Sequence, residues 1–168
     1  KRNSSPDKKT ITFVLMAKEL ERKFILNELP QGLEYKNIKQ AYLMFDGNQH
    51  LRVRIIDDKE AWLTFKVFHS IIVRTEYEYA IPLRDAAEMF NASNCKLEKK
   101  RYSTEYMGNK VDIDVYPSGK SIVELEFEKE LINIPPYCGK EVTGMKEWSN
   151  VWIAMNEKDP SPLTLSLE

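Results

Sequence analysis

Glu19-Leu20-Glu21-Arg22-Lys23 places two carboxylates and an ammonium at every second position. On a β-strand that spacing puts Glu19, Glu21 and Lys23 on one face. Carboxylates so placed can hold a hard divalent cation, and the lysine beside them can hold an anion. A solvated strand face can carry the same letters, so the reading depends on recurrence. Arg52 and Arg54 alternate with Leu51, Val53 and Ile55. Thr64 and Lys66 alternate with Leu63, Phe65 and Val67. Arg74, Glu76 and Glu78 alternate with Val73, Thr75 and Tyr77. Lys99 and Arg101 share a face, as do Asp112 and Asp114. Glu124, Glu126 and Glu128 alternate with Val123, Leu125 and Phe127.

The elements that position these residues are mostly strands. The pattern predicts them at about 13–26, 38–44, 51–56, 62–68, 71–81, 97–106, 110–116 and 121–128. Asp46-Gly47-Asn48, Asp57-Asp58-Lys59 and Pro117-Ser118-Gly119 supply turns between them. Two helices are expected. A short one runs over 83–90, after Pro82. A longer one runs from about Glu141 to Met155, with Met145, Trp148, Val151, Trp152 and Met155 on one side.

Pairs such as Arg52/Arg54 or Asp112/Asp114 repel, and a face that merely meets water has no reason to collect them. A twisted antiparallel sheet of eight strands tends to close, which removes its edges. The expected fold is therefore mainly β (α+β): a closed eight-stranded antiparallel barrel with a few peripheral helices. Its charged faces line a wet lumen, because unpaired charge cannot sit in a dry core. Its apolar faces point outward under partial helical cover. Arg52, Arg54, Lys99 and Arg101 are expected to converge on the lumen, pointing away from the helix that carries Trp148 and Trp152.

A chain of 168 residues fits one domain. Its net charge of −1, with 25 basic and 26 acidic residues, gives no general argument for nucleic-acid or membrane partners. Cys95 and Cys138 read as reduced thiols, which with the absence of any membrane-length apolar run fits a cytoplasmic protein. His50 and His69 are isolated. Residues 1–10 are expected to be a disordered or cloning-derived lead, because Ile11 to Ala17 mimics a secretion signal without a cleavage site. Residues 11–156 form the domain, and 157–168 a mobile tail.

These strands, taken in order, resemble the CYTH domain proteins, also called triphosphate tunnel metalloenzymes. The resemblance is carried by Glu19-Leu20-Glu21-Arg22-Lys23-Phe24, Gln40-Ala41-Tyr42-Leu43, Leu51-Arg52-Val53-Arg54 and Leu63-Thr64-Phe65-Lys66. It continues through Arg74-Thr75-Glu76-Tyr77-Glu78, Glu98-Lys99-Lys100-Arg101-Tyr102, Asp112-Ile113-Asp114-Val115-Tyr116 and Val123-Glu124-Leu125-Glu126-Phe127. The segment from Ile134-Pro135-Pro136 to Lys146 is similar to the tail of short bacterial members. Lys140 and Gly144 stand where acidic residues are common in relatives.

The resemblance implies a tunnel that grips a triphosphate through basic side chains and divalent cations. Lys23, Arg52, Arg54, Lys66, Arg74, Lys99, Arg101 and Lys146 are the candidate phosphate clamps. Lys23, Arg52, Arg54, Lys66, Glu76 and Glu78 are the candidate catalytic residues. Glu19, Glu21 and Glu126, joined by Glu124 and Asp114, are the candidate ligands for Mg²⁺ or Mn²⁺, which suit all-oxygen sites. Glu76, Glu78, Asp112 and Asp114 would hold a second metal, orient water or pair with the basic wall. The expected activity is metal-dependent hydrolysis of inorganic triphosphate. The alternatives are ATP cyclisation, thiamine triphosphate hydrolysis, and a non-catalytic triphosphate- or polyphosphate-binding module. The expected partner is a small-molecule triphosphate, without nucleic acid or membrane, in a chain that can form a homodimer.

Overall fold

The computed structural model describes residues 18–127, 133–157, Pro160 and Leu163, and the side chains of residues 18 and 19 lie outside that description. The expectations for residues 1–17 and for Glu128 therefore fall outside the described residues. β1 spans Lys18–Leu26, β2 Tyr35–Asp46, β3 Gln49–Ile56, β4 Glu60–Phe68 and β5 Val73–Ala80. After α1 (Leu83–Ala92) come β6 (Lys96–Tyr106), β7 (Asn109–Val115), β8 (Ser121–Phe127) and β9 (Cys138–Glu141). A 3₁₀ turn at Lys146–Trp148 leads into α2 (Asn150–Asn156).

Eight strands form a ring in the order β5, β4, β3, β2, β6, β7, β8, β1, and β1 pairs back onto β5. Every pairing is antiparallel. The closure is short, from Lys18 opposite Thr75 to Leu20 opposite Val73. Beyond it the same edge of β1 is taken by β9, with Phe24 opposite Glu141 and Leu26 opposite Cys138. β9 was not foreseen, and it covers a strand edge that β5 leaves bare.

Local chemistry explains the tight corners. Asp57 and Asp58 both adopt positive φ, 50° and 53°, between β3 and β4. Positive φ at both central residues is the type I′ hairpin, whose twist matches the strands it joins, and aspartate tolerates it better than most residues.

The final helix departs from expectation. Instead of one helix from Glu141 there are a strand, a loop, a 3₁₀ turn and a seven-residue helix. Gly144 sits at φ 75°, and a Cβ there would lie 2.8 Å from Ile71 Cγ2. This left-handed residue ends any helix passing through it. α2 then starts afresh at Ser149, whose hydroxyl accepts from the Trp152 backbone N–H at 3.2 Å.

Apolar packing lies mainly outside the ring. α1 buries Ala86, Ala87 and Phe90 against Ala41, Val53, Ile55 and Ala61. Each fully buried large apolar side chain such as Phe90 contributes about 1.5–3 kcal/mol. Leu163, within the tail expected to be mobile, joins this cluster, and its backbone exchanges hydrogen bonds with Asn91 at 2.9 and 3.0 Å. A second cluster places Phe24, Val111, Ile113, Val123 and Leu125 together. A third differs. Tyr42, Leu97, Tyr116 and Ile122 have the same parity as the charged residues of their strands, and they pack on Ile153 and Ala154 of α2. Apolar side chains therefore close part of the lumen, with α2 set against them. Among the described residues no helix is long and apolar enough to cross a membrane.

Candidate active site

One cavity of ≈ 330 Å³ lies among the inward faces. β1 contributes Glu21 and Lys23, β3 Arg52 and Arg54, β4 Lys66, and β5 Arg74, Glu76 and Glu78. Arg101 comes from β6, Glu124 and Glu126 from β8, and Lys146 from the 3₁₀ turn. Glu19 lies in β1 opposite Arg74, and its side chain lies outside the described residues. Asp114 and Lys99 stand behind this set and do not border the cavity.

Register fixes most of the pairing. Lys23 is opposite Glu124 across β1 and β8, and its ammonium donates to Glu124 Oε1 at 2.6 Å. Lys66 is opposite Glu76 and contacts it directly. Arg101 is opposite Asp114 and grips it with Nε and Nη2, both at 2.6 Å. Arg101 also donates to Glu124 at 2.8 Å and to Asp112 at 2.9 Å. Glu21 and Glu126 are opposite each other, and Arg74 reaches them at 2.5 and 3.7 Å. Antiparallel neighbours on one face are close enough for such pairs.

Arg52 and Arg54 are less well served. Arg52 meets Glu76 and Glu78 only at 3.8 Å, and Arg54 meets Glu78 at 4.0 Å. Glu78 instead accepts from Thr64 at 2.8 Å. The Nε atoms of Arg52 and Arg54 are buried and have no hydrogen-bond partner among the described residues. Two adjacent guanidiniums held in this way offer hydrogen-bond donors and positive charge that a multivalent anion could accept.

The electrostatics agree. Burial and the neighbouring Arg52 lower the Lys66 pKa to about 7. Burial, with Arg52 and Arg101, lowers Arg54 to about 10. Burial lowers Lys99 to about 8, against the pull of Asp114. Burial alone would raise the carboxylates, but the basic wall outweighs it. Lys66, Arg52 and Arg74 hold Glu76 low, and Lys23, Arg101 and Lys99 hold Glu124 well below its usual range. Asp114 is held low by Arg101 and Lys99.

The expectation that the basic residues point away from the helix with Trp148 and Trp152 fails at Lys99. Its ammonium donates to Asn150 Oδ1 of α2 at 3.0 Å. The reason is that α2 packs against part of the lumen instead of lying outside the ring.

Other residues at the site were given no site role from the sequence. Lys110 borders the cavity and reaches Glu126 at 3.2 Å. Its parity with Asp112 and Asp114 already put it on that face. Tyr42 borders the cavity, and its hydroxyl accepts from the fully buried Gln40 at 2.9 Å. Both residues share the inward parity of β2. Asn150 had no legible signal, because its helix was drawn too long.

The chain is 33% identical over 153 residues to the inorganic triphosphatase of Acetivibrio thermocellus, covering 84% of this chain and 96% of that one. It is 31% identical over 149 residues to the inorganic triphosphatase of Nitrosomonas europaea, covering 82% of this chain and 97% of that one. A solved inorganic triphosphatase structure superposes with a TM-score of 0.61 at 30% identity, covering 83% of this chain and 96% of that one. The CYTH domain model matches residues 17–147, and the chain belongs to the CYTH domain family.

Proposed function

We propose that this protein hydrolyses inorganic triphosphate to pyrophosphate and phosphate in its charged lumen, with Mg²⁺ or Mn²⁺ as cofactor. The observation that carries the reading is the lining of the cavity: eight basic side chains against five carboxylates, with the Nε atoms of Arg52 and Arg54 unpartnered. Phosphoryl transfer is catalysed chiefly by positioning and by neutralising charge, which suits such a wall.

Arg52 and Arg54 grip phosphate oxygens, and Lys66, Lys23 and Arg74 add positive charge along the chain of phosphates. Lys146 approaches from the 3₁₀ turn. Glu76 and Glu78 hold the basic side chains in place and can orient the attacking water. The all-carboxylate donor chemistry suits a hard cation, although among the described residues no three such groups are gathered around one point. Glu21 and Glu126 face each other in register on the cavity, and Glu19 precedes Glu21 by two residues on β1. Glu21 and Glu126 would hold such a cation, which would supply positive charge to offset that of the triphosphate. Asp114 does not border the cavity and Glu124 is bonded to both Lys23 and Arg101, so we assign them to holding the basic wall. Glu21 and Glu126 also carry ion pairs, to Arg74 and Lys110, which a cation would have to displace.

Similarity to inorganic triphosphatases supports this substrate. The rim also carries the apolar side chains of Ile71, Ile72, Met145 and Trp148, which gives organic triphosphates a surface to touch. The test is a panel of inorganic triphosphate, thiamine triphosphate and ATP with each metal. Phosphate, pyrophosphate and cyclic AMP are read separately. Preferred release of phosphate from inorganic triphosphate is expected. Cyclic AMP formation with inert triphosphate overturns the reading.

A further inference from the structure

Asn150 is the first residue of α2, and it borders the cavity. Its Oδ1 accepts two hydrogen bonds, from the Tyr116 hydroxyl at 2.6 Å and from Lys99 Nζ at 3.0 Å. An ammonium can only donate, so the carbonyl oxygen of the amide must face Lys99. Lys99 is 4% exposed. Its other fixed partner is Asp114 Oδ2 at 2.5 Å, and it lies 5.6 Å from the Tyr116 ring centroid. Asp114 in turn holds Arg101 through two bonds of 2.6 Å, and Arg101 borders the cavity.

A continuous chain of contacts thus runs from the C-terminal segment to the basic wall. Without Asn150 the Lys99 ammonium keeps one fixed acceptor in a buried place. It would then turn further onto Asp114 and compete with Arg101 for the same carboxylate. Arg101 is shared among Asp114, Glu124 and Asp112, so its direction depends on how much of Asp114 is free.

We propose that Asn150 is a positioning residue: it holds Lys99 against Asp114 and thereby sets how Arg101 is presented to the triphosphate. This rests on the triphosphatase reading above. It makes α2 a working part of the site as well as a cover.

The test is a double-mutant cycle of Asn150→Ala with Lys99→Met. It is read as triphosphate affinity by calorimetry in EDTA and as kcat/KM with Mg²⁺. Asn150→Ala alone is expected to lower kcat/KM by about tenfold, the size of one lost hydrogen bond to a charged group. In the Lys99→Met background the same change should cost less than about twofold, because its target is gone. Asn150→Asp keeps an acceptor toward Lys99 and Tyr116 and should lie closer to wild type than Asn150→Ala does. It also serves where Asn150→Ala fails to fold. Additive losses, or an Asn150→Ala protein equal to wild type, overturn the proposal. If wild type neither binds nor cleaves triphosphate, the functional reading fails separately. The same cycle on thermal unfolding then decides: non-additive shifts uphold the Asn150–Lys99 link, and additive shifts overturn it.

Discussion

Arg52, Lys66 and Glu21 illustrate how single residues divide the work. Arg52 is buried yet its Nε has no hydrogen-bond partner among the described residues, so an incoming phosphate would complete its hydrogen bonding. Arg52→Ala is expected to lower kcat/KM on triphosphate by about 10²-fold or more, in the range for removing a preorganised charge-stabilising donor. Lys59→Ala, on an exposed turn, should change it by less than about twofold, as surface changes generally do. Equal effects would refute the assignment. Glu21→Gln should abolish most metal-dependent turnover while triphosphate binding in EDTA persists. Full activity in that variant would remove Glu21 from the cation site. Lys66 adds a proton-linked signature. Its pKa is lowered to about 7 by burial and by Arg52, so at pH 8 the free site leaves it less than fully protonated. A bound polyanion offsets the repulsion from Arg52 and attracts the ammonium directly, which raises that pKa, so binding takes up a proton at Lys66. Calorimetry at pH 8, in EDTA and in two buffers of different ionisation enthalpy, should show greater net uptake for wild type than for Lys66→Arg. Identical proton exchange in the two proteins would count against a partly deprotonated Lys66.

At the level of elements, period-two alternation made the barrel legible. The eight expected strands all appear, within a few residues of their bounds wherever those bounds fall among the described residues, because one apolar and one charged face leave the register little freedom. The inward charged positions Lys23, Arg52, Arg54, Lys66, Arg74 and Glu76 followed from the same alternation. The C-terminal segment was not legible. Met145, Trp148, Val151 and Trp152 have helical spacing, but Gly144 at φ 75° and the Ser149 cap divide the stretch. β9 is four residues long and lacks alternation, so pattern alone could not separate it from a loop. Which carboxylates are spent on ion pairs is equally hidden, since that depends on cross-strand neighbours. Gly144 offers a test at this scale. Alanine there meets both an unfavourable φ and Ile71 at 2.8 Å, and the variant should lose about 1–3 kcal/mol of stability. Ile71→Ala should recover only the steric part. A Gly144→Ala protein with an unchanged denaturant midpoint would show that the turn carries no such constraint.

The whole molecule inverts the usual layering of a small barrel. Most of its apolar faces look outward to α1 and the loops, and its interior is an ion-pair network closed on one side by the apolar cluster against α2. Such a network stabilises only while each charge keeps a partner, because burying the charges costs about as much as pairing them returns. Stability should therefore follow the protonation of the lumen carboxylates. Glu124, Glu76 and Asp114 all have folded pKa values below their ordinary ones of 4.5, 4.5 and 3.8. A depressed carboxylate contributes its full stabilisation above its unfolded pKa, and loses it as pH falls through the folded value. The unfolding free energy should accordingly change little through these groups from pH 7 to about pH 5, and fall steeply below the ordinary glutamate value. Glu124→Gln removes one of these groups, leaving Lys23 with Glu21 at 3.4 Å and Arg101 with Asp114 and Asp112, which should cost about 1.5–3 kcal/mol at pH 7 as lost charge-assisted hydrogen bonds. With one fewer depressed carboxylate, the variant should also lose less than wild type on going from pH 5 to pH 3. Urea unfolding of both proteins at pH 7, 5, 4 and 3 reads the two slopes directly. Parallel curves would mean that Glu124 titrates alike in the folded and unfolded chains, and the ion-paired interior would then not be what holds the ring together.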